Sequence, residues 1–145
     1  MKKVLFAALV LITIGTSAFA GTKNVSSIAK NSFQTEFSQA SNAIWTAGED
    51  YSKVTFTLND VRMEAFYEAN GDMIGTSKAI SIDQLPVSAK RTFTKKYGNF
   101  EVKEAIRFEG SDDAAYFISA ENEKESVVVK IDEFSRISTV KNTKK

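Results

Sequence analysis

Short connections govern this chain. From residue 43 to residue 140, apolar and polar positions alternate in runs of five to ten residues, and most of these runs are parted by only two to four turn-forming residues. A parallel strand pair needs a crossover of a dozen or more residues, so these runs fold as antiparallel meanders. Val54, Phe56 and Leu58 alternate with Lys53, Thr55 and Thr57, the pattern of a strand with one buried and one wet face. Asn59-Asp60 is a turn pair, and Val61 to Tyr67 alternates again except at Phe66, which stands where a polar residue is due. Asn70-Gly71 predicts a tight hairpin with both central residues at positive φ.

Two stretches break the period of two. Ile28 or Ala29, Phe33, Phe37 and Ala40 fall at spacings of four, four and three, which places them on one helix face. Leu85, Ala89, Phe93 and Tyr97 recur every four residues, with Lys90, Arg91, Lys95 and Lys96 on other faces. Pro86 suits the first turn of this second helix, Asp83 is placed to cap it, and Gly98 is placed to end it in a left-handed conformation.

Each helical stretch is followed by four strand runs. Phe56 and Phe117, about sixty residues apart, occupy matching second strands. The fold class predicted from this is α+β, a tandem repeat of helix plus four-stranded antiparallel meander with the sheet faces packed on the helices. The expected domain covers residues 28–140, with repeats at about 28–81 and 82–140. A flexible lead is expected at 21–27 and a basic, frayed tail at 141–145.

Ahead of the lead, Lys2 and Lys3 precede an apolar run from Val4 to Ile14, and Ala18-Phe19-Ala20 offers small residues to a signal peptidase. Residues 1–20 therefore read as a cleaved export signal, with the cut after Ala20. The apolar run is too short for a spanning helix. No cysteine is present to carry the acyl chains of a lipoprotein or to form disulfides, so the expected location is the periplasm or the extracellular medium and the fold must hold by its core. Lys2 and Lys3 leave with the signal, so 19 basic against 18 acidic residues becomes 17 against 18. Such balance gives no electrostatic case for nucleic acid, which would want a basic stripe, nor for an anionic membrane surface, and no nucleic-acid partner is expected.

The order of certain residues carries a resemblance. Phe33-x3-Phe37-x2-Ala40-x4-Trp45 is followed by Ala65-Phe66-Tyr67 ahead of Asn70-Gly71, then by Leu85-Pro86 opening a helix that ends in Tyr97-Gly98. In this order the chain resembles the PepSY-like, β-lactamase-inhibitor-protein-like (BLIP-like) family of small exported bacterial proteins, over essentially the whole mature length. The resemblance implies helix-plus-four-strand units whose strands can join into one curved sheet. Most of that family has no assigned biochemical activity. The matching residues are core and turn positions, so no functional residue carries over, and an inhibitor-like fold does not make this chain an inhibitor of β-lactamases.

With no histidine and no cysteine, Ser-His-Asp and Cys-His nucleophiles and imidazole or thiolate zinc sites are excluded. Glu109, Asp112 and Asp113 form the densest acidic group but lack a calcium-loop pattern and read as a solvated turn. Lys90, Arg91, Lys95 and Lys96 read as a solvated helix face, although a polyanion or anionic lipid would also suit them. Trp45 reads as a core anchor. No catalytic, cofactor or metal residue is assigned, and no enzyme activity is expected. The candidate partner surface is the open face of the sheet, with Tyr51, Lys53, Thr55 and Thr57 on one strand and Lys103 and Arg107 on its counterpart. The function expected is a non-enzymatic binding module for a protein or peptide. The alternative is a carrier of a small or lipid-like ligand between helices and sheet.

The mature protein recovered from the producing cell should begin at Gly21, which N-terminal sequencing checks. An intact cytoplasmic product that keeps Met1 would end the export reading.

Overall fold

A computed structural model describes residues 24–145, so the expected signal at 1–20 and the first part of the lead lie outside the described residues. In chain order the elements are α1 (Ser27–Glu36), β1 (Ser41–Ala47), β2 (Ser52–Leu58), β3 (Val61–Tyr67), β4 (Met73–Ile80), a 3-10 turn (Ile82–Gln84), α2 (Val87–Tyr97), β5 (Glu101–Gly110), β6 (Ala114–Glu121), β7 (Glu125–Asp132) and β8 (Ile137–Lys144).

All eight strands belong to one antiparallel sheet in the order β1 to β8. This corrects the expected tandem of separate helix-plus-four-strand units. Two four-stranded sheets have four edges of unpaired N–H and C=O groups, whereas one eight-stranded sheet has two. The neighbours β4 and β5 are separated in the chain by α2, so no turn signal announces their adjacency. The described residues group into two units, one of residues 24–78 with 108–113 and one of residues 79–107 with 114–145.

In the first unit the Ser26 hydroxyl caps α1, accepting from the N–H groups of Ile28 and Ala29 and donating to the Ala69 carbonyl at 2.8 Å. The helix buries Ala29 and Phe33, while Ile28 is 56% exposed. Phe33 lies 5.0 Å from Phe56 and 5.5 Å from both Phe37 and Trp45, ring centre to ring centre. Val54, Ala65 and Tyr67 complete the buried cluster, and Trp45 packs against it as the expected anchor. The Tyr67 hydroxyl donates to Glu36 at 2.7 Å, and burial, reinforced by that carboxylate, pushes its ionisation well up.

Two of the hairpin turns of this unit, β2–β3 and β3–β4, exchange the roles that the sequence predicts. Asn59 and Asp60 both hold positive φ, at 50° and 64°, which is the tight-turn geometry expected at Asn70-Gly71. There only Gly71 is left-handed, at 91°. Asn70 instead accepts from the Asp72 N–H through its side chain at 3.0 Å, and the ladder shifts register between Phe66 and Tyr67. A Cβ on Gly71 would stand 2.7 Å from Ile28 Cγ2 and 2.9 Å from Ser32 Oγ, so α1 needs a glycine beneath it.

In the second unit α2 buries Ala89, Phe93 and Tyr97 against Ala105, Ile118, Ala120, Val127, Val129 and Ile131. The Tyr97 hydroxyl bonds with that of Thr139 at 2.8 Å. Asp83 does not cap the helix as read from sequence; Pro86 occupies that place, and Asp83 pairs with Lys90. Gly98 is right-handed at φ −64°, not left-handed. The basic end is no frayed tail: Lys141 and Thr143 stand opposite Val128 and Ser126 within β8, and Asn142 donates to Glu125 at 2.6 Å.

Phe33→Ala and Phe93→Ala should each cost about 3–5 kcal/mol in urea unfolding, by transfer and cavity terms together. Losses under about 1 kcal/mol at both sites would mean that the aromatic stripes do not hold the helices.

Candidate binding surface

Side chains alternate across a strand, so with Val54 and Phe56 turned to α1, Lys53, Thr55 and Thr57 face the other way. The register between β2 and β3 sets Lys53 opposite Phe66, Thr55 opposite Glu64 and Thr57 opposite Arg62. Between β3 and β4 it sets Glu64 opposite Ser77 and Phe66 opposite Gly75. The alternation in the sequence predicts a wet face here. It is half-buried at Tyr51, Lys53, Thr55 and Thr57, and Phe66 on it is 1% exposed.

At its centre Lys53 Nζ lies 3.5 Å from Glu64 Oε1, with the two side chains only 13% and 12% exposed. The Thr55 hydroxyl reaches Glu64 Oε1 and the Ser77 hydroxyl reaches Oε2, each at 3.5 Å. A carboxylate this far from water stays favourable only with such partners around it. The Tyr51 ring lies 6.1 Å from Phe66, and Phe66 lies 6.3 Å from Phe108. A Cβ on Gly75 would fall 2.5 Å from Phe108 Cζ, so the missing side chain makes room for that ring. Burial, and after it the charge of Glu64, pushes the Tyr51 phenol above its ordinary ionisation.

The remaining two candidates lie in the second unit and do not share one environment. Lys103 pairs with Glu101 at 3.0 Å and Glu121 at 3.1 Å, and hydrogen bonds to these two carboxylates raise its ionisation. Nearby, Asn99, Glu101, Glu121, Asn122, Lys124 and Lys145 line an open hollow of about 560 Å³. Arg107 instead stacks its guanidinium 5.0 Å from the Tyr116 ring, which packs at the margin of the α2 core. Glu64, Ser77 and Phe108 are not among the sequence candidates, and Phe66 stands out there only as the apolar break in the alternation. Glu64 had a signal: a two-residue turn at Asn59-Asp60 places it opposite Thr55 and diagonal to Lys53. Among the described residues no group of three or more Asp, Glu, His or Cys side chains is placed to hold a metal ion. Among the same residues no helix is long and apolar enough to cross a membrane.

Glu64→Ala should cost about 1–3 kcal/mol, because it strands the Lys53 ammonium in a half-buried site. In a double-mutant cycle over Lys53→Met and Glu64→Leu, followed by chemical unfolding, the double replacement should recover most of the loss of Glu64→Leu alone. A loss in the double variant equal to the sum of the two single losses would show that the pair is not coupled.

No protein-family model matches the chain, and no curated protein matches it. Solved structures do. A candidate periplasmic protein of Bacteroides eggerthii aligns with a TM-score of 0.74 at 8% identity, covering 84% of this chain and 90% of its own. A DUF2874-family protein of Bacteroides ovatus aligns at 0.73 and 15% identity, covering 84% and 89%. A BLIP-like protein of Bacteroides fragilis aligns at 0.70 and 17% identity, covering 88% and 92%. At these identities the likeness is one of fold, and the fold of this chain is BLIP-like.

Proposed function

We propose that this chain is an exported, non-catalytic binding module that engages a protein or peptide through the face of β2 and β3 turned away from α1. The observation that carries this reading is the pre-arranged centre of that face. There the Lys53–Glu64 pair is braced by Thr55 and Ser77 and stands beside Tyr51 and Phe66. Half-buried charge next to aromatic rings is the material of interface hot spots, and little ordering remains to be done on binding. Tyr51, Lys53, Thr55 and Thr57 are the first contacts in this reading, with Lys103 and Arg107 as outlying ones.

The sheet edges favour the face over strand addition. Edge strand β1 carries a left-handed Asn42 and a register shift between Ser41 and Ile44, and edge strand β8 carries Lys141 and Lys144. Bulges and lysines are devices that turn away an added strand. Export is supported by the sequence signal at 1–20 and by the likeness to a candidate periplasmic protein. The PepSY-like part of the resemblance rests on the order of aromatic and turn residues alone.

A non-catalytic role is supported by the absence of histidine and cysteine from the sequence. It is supported also by the direction in which carboxylates shift. Lys90 lowers Asp83, and Lys103 and Lys145 lower Glu121. Carboxylates held ionised suit pairing, whereas a general acid needs the opposite shift. The carrier alternative has less behind it, because the 560 Å³ hollow is lined by charged and amide side chains.

The test immobilises the purified protein and challenges it with envelope and medium proteins of the producing cell. A partner retained in equal molar amount, and bound about tenfold more weakly by Tyr51→Ala, is the expected result. Co-purification of a small apolar molecule in place of a protein would support the carrier. Turnover against peptide, ester, glycoside or β-lactam substrates would overturn both.

A further inference from the structure

Apart from the β2–β3 face, the second unit holds an outward-facing feature that its core does not explain. Phe134, in the turn between β7 and β8, is 79% exposed, and Val87, in the first turn of α2, is 75% exposed. The two lie on adjoining segments, because the hydroxyls of their neighbours Ser135 and Ser88 hydrogen-bond at 2.6 Å. The phenylalanine is held outward by a built turn. Asp132 Oδ1 accepts from the N–H groups of Phe134 and Arg136 at 2.9 Å each, and Asp132 Oδ2 accepts from Arg136 Nε at 2.6 Å. Ser135 takes a left-handed φ of 61°, and the Arg136 guanidinium lies 5.2 Å from the Phe134 ring.

Charge gathers at the same place. Ala89, Phe93 and Tyr97 face the core, and Val87, Arg91 and Lys95 follow one another every four residues along the outward face of α2. Lys90 is neutralised by Asp83 and Arg136 by Asp132, whereas Arg91 and Lys95 have no acidic partner among the described residues. Glu133 is the opposing charge of the turn. The chain as a whole is close to neutral, so this excess is local.

We propose that the β7–β8 turn and the outward stripe of α2 form a peripheral docking site for an anionic lipid surface, with Phe134 and Val87 entering the headgroup region and Arg91 and Lys95 meeting its phosphates. Charge complementarity selects the occupant. A projecting aromatic at the tip of a rigid turn, flanked by uncompensated cations, suits a soft anionic surface that takes in the ring. A protein partner would need to offer a pocket for Phe134 ringed by acids. The contact is reversible and shallow, since two apolar side chains and a few cations fall far short of an anchor.

Sedimentation of residues 21–145, which hold every described element, with phosphatidylcholine vesicles lacking or containing phosphatidylglycerol tests this. Binding is expected only with phosphatidylglycerol. It should fall about fivefold for each of Arg91→Gln and Lys95→Gln and roughly tenfold for Phe134→Ser, and it should rise for Glu133→Gln. These side chains are exposed, so thermal unfolding should not change, and Val87→Ser provides a second apolar variant should Phe134→Ser disturb the turn. Absence of binding to the anionic vesicles, or binding that ignores Phe134→Ser and Val87→Ser, overturns the proposal. An equal fall in Lys141→Gln and Lys144→Gln would overturn it in favour of diffuse charge attraction. Binding to soluble polyglutamate without binding to vesicles would overturn it in favour of an acidic protein partner.

Discussion

Asn59 and Asp60 turn the chain in two residues at positive φ, and both faces of the β2–β3 hairpin depend on the register that results. With that register Val54 stands opposite Ala65 under α1, and Thr55 stands opposite Glu64 on the other side. A slip of one residue would carry Phe56 and Val54 out of the core and bring Lys53 and Thr55 into it. The hydrophobic cluster around Phe33 and the polar group around Glu64 are thus two consequences of one turn. Each penalises the slip that would destroy the other.

Without cysteines the fold relies on packing, and it places one aromatic stripe per helix to do so. Phe33 gathers Phe37, Trp45, Phe56 and Tyr67 around it in tilted and edge-on arrangements. Phe93 stacks on Tyr97, which meets Phe100 edge-on. In both units a core tyrosine, Tyr67 of β3 and Tyr97 of α2, keeps its hydroxyl satisfied, by Glu36 in one and Thr139 in the other. Aromatic area supplies the burial, and the phenol bonds satisfy the one polar atom that each tyrosine brings into it.

Near-neutral composition conceals two different uses of charge. Lys53 and Glu64 are drawn mostly out of water and matched by hydroxyls, which gives a rigid polar centre among aromatic rings. Arg91 and Lys95 are exposed, near the exposed apolar side chains of Val87 and Phe134. Matched, half-buried charge suits recognition by shape, whereas unmatched surface charge suits attraction to a surface of opposite sign.

The sequence by itself determined the succession of elements, because periods of two and of nearly four are local properties of a strand and a helix. Ala29, Phe33, Ala89, Phe93 and Tyr97 were legible as core for that reason, and Tyr51, Lys53, Thr55 and Thr57 as members of one strand. The tertiary structure alone decided that β4 and β5 share a sheet, since α2 lies between them in the chain and backbone pairing leaves no local mark on side-chain type. It also decided that residues 141–144 form a strand, that Arg107 covers Tyr116, and that Lys53 meets Glu64 in a half-buried site. Periodicity says which way a side chain turns. Whether water or another strand lies there is settled only when distant parts of the chain meet.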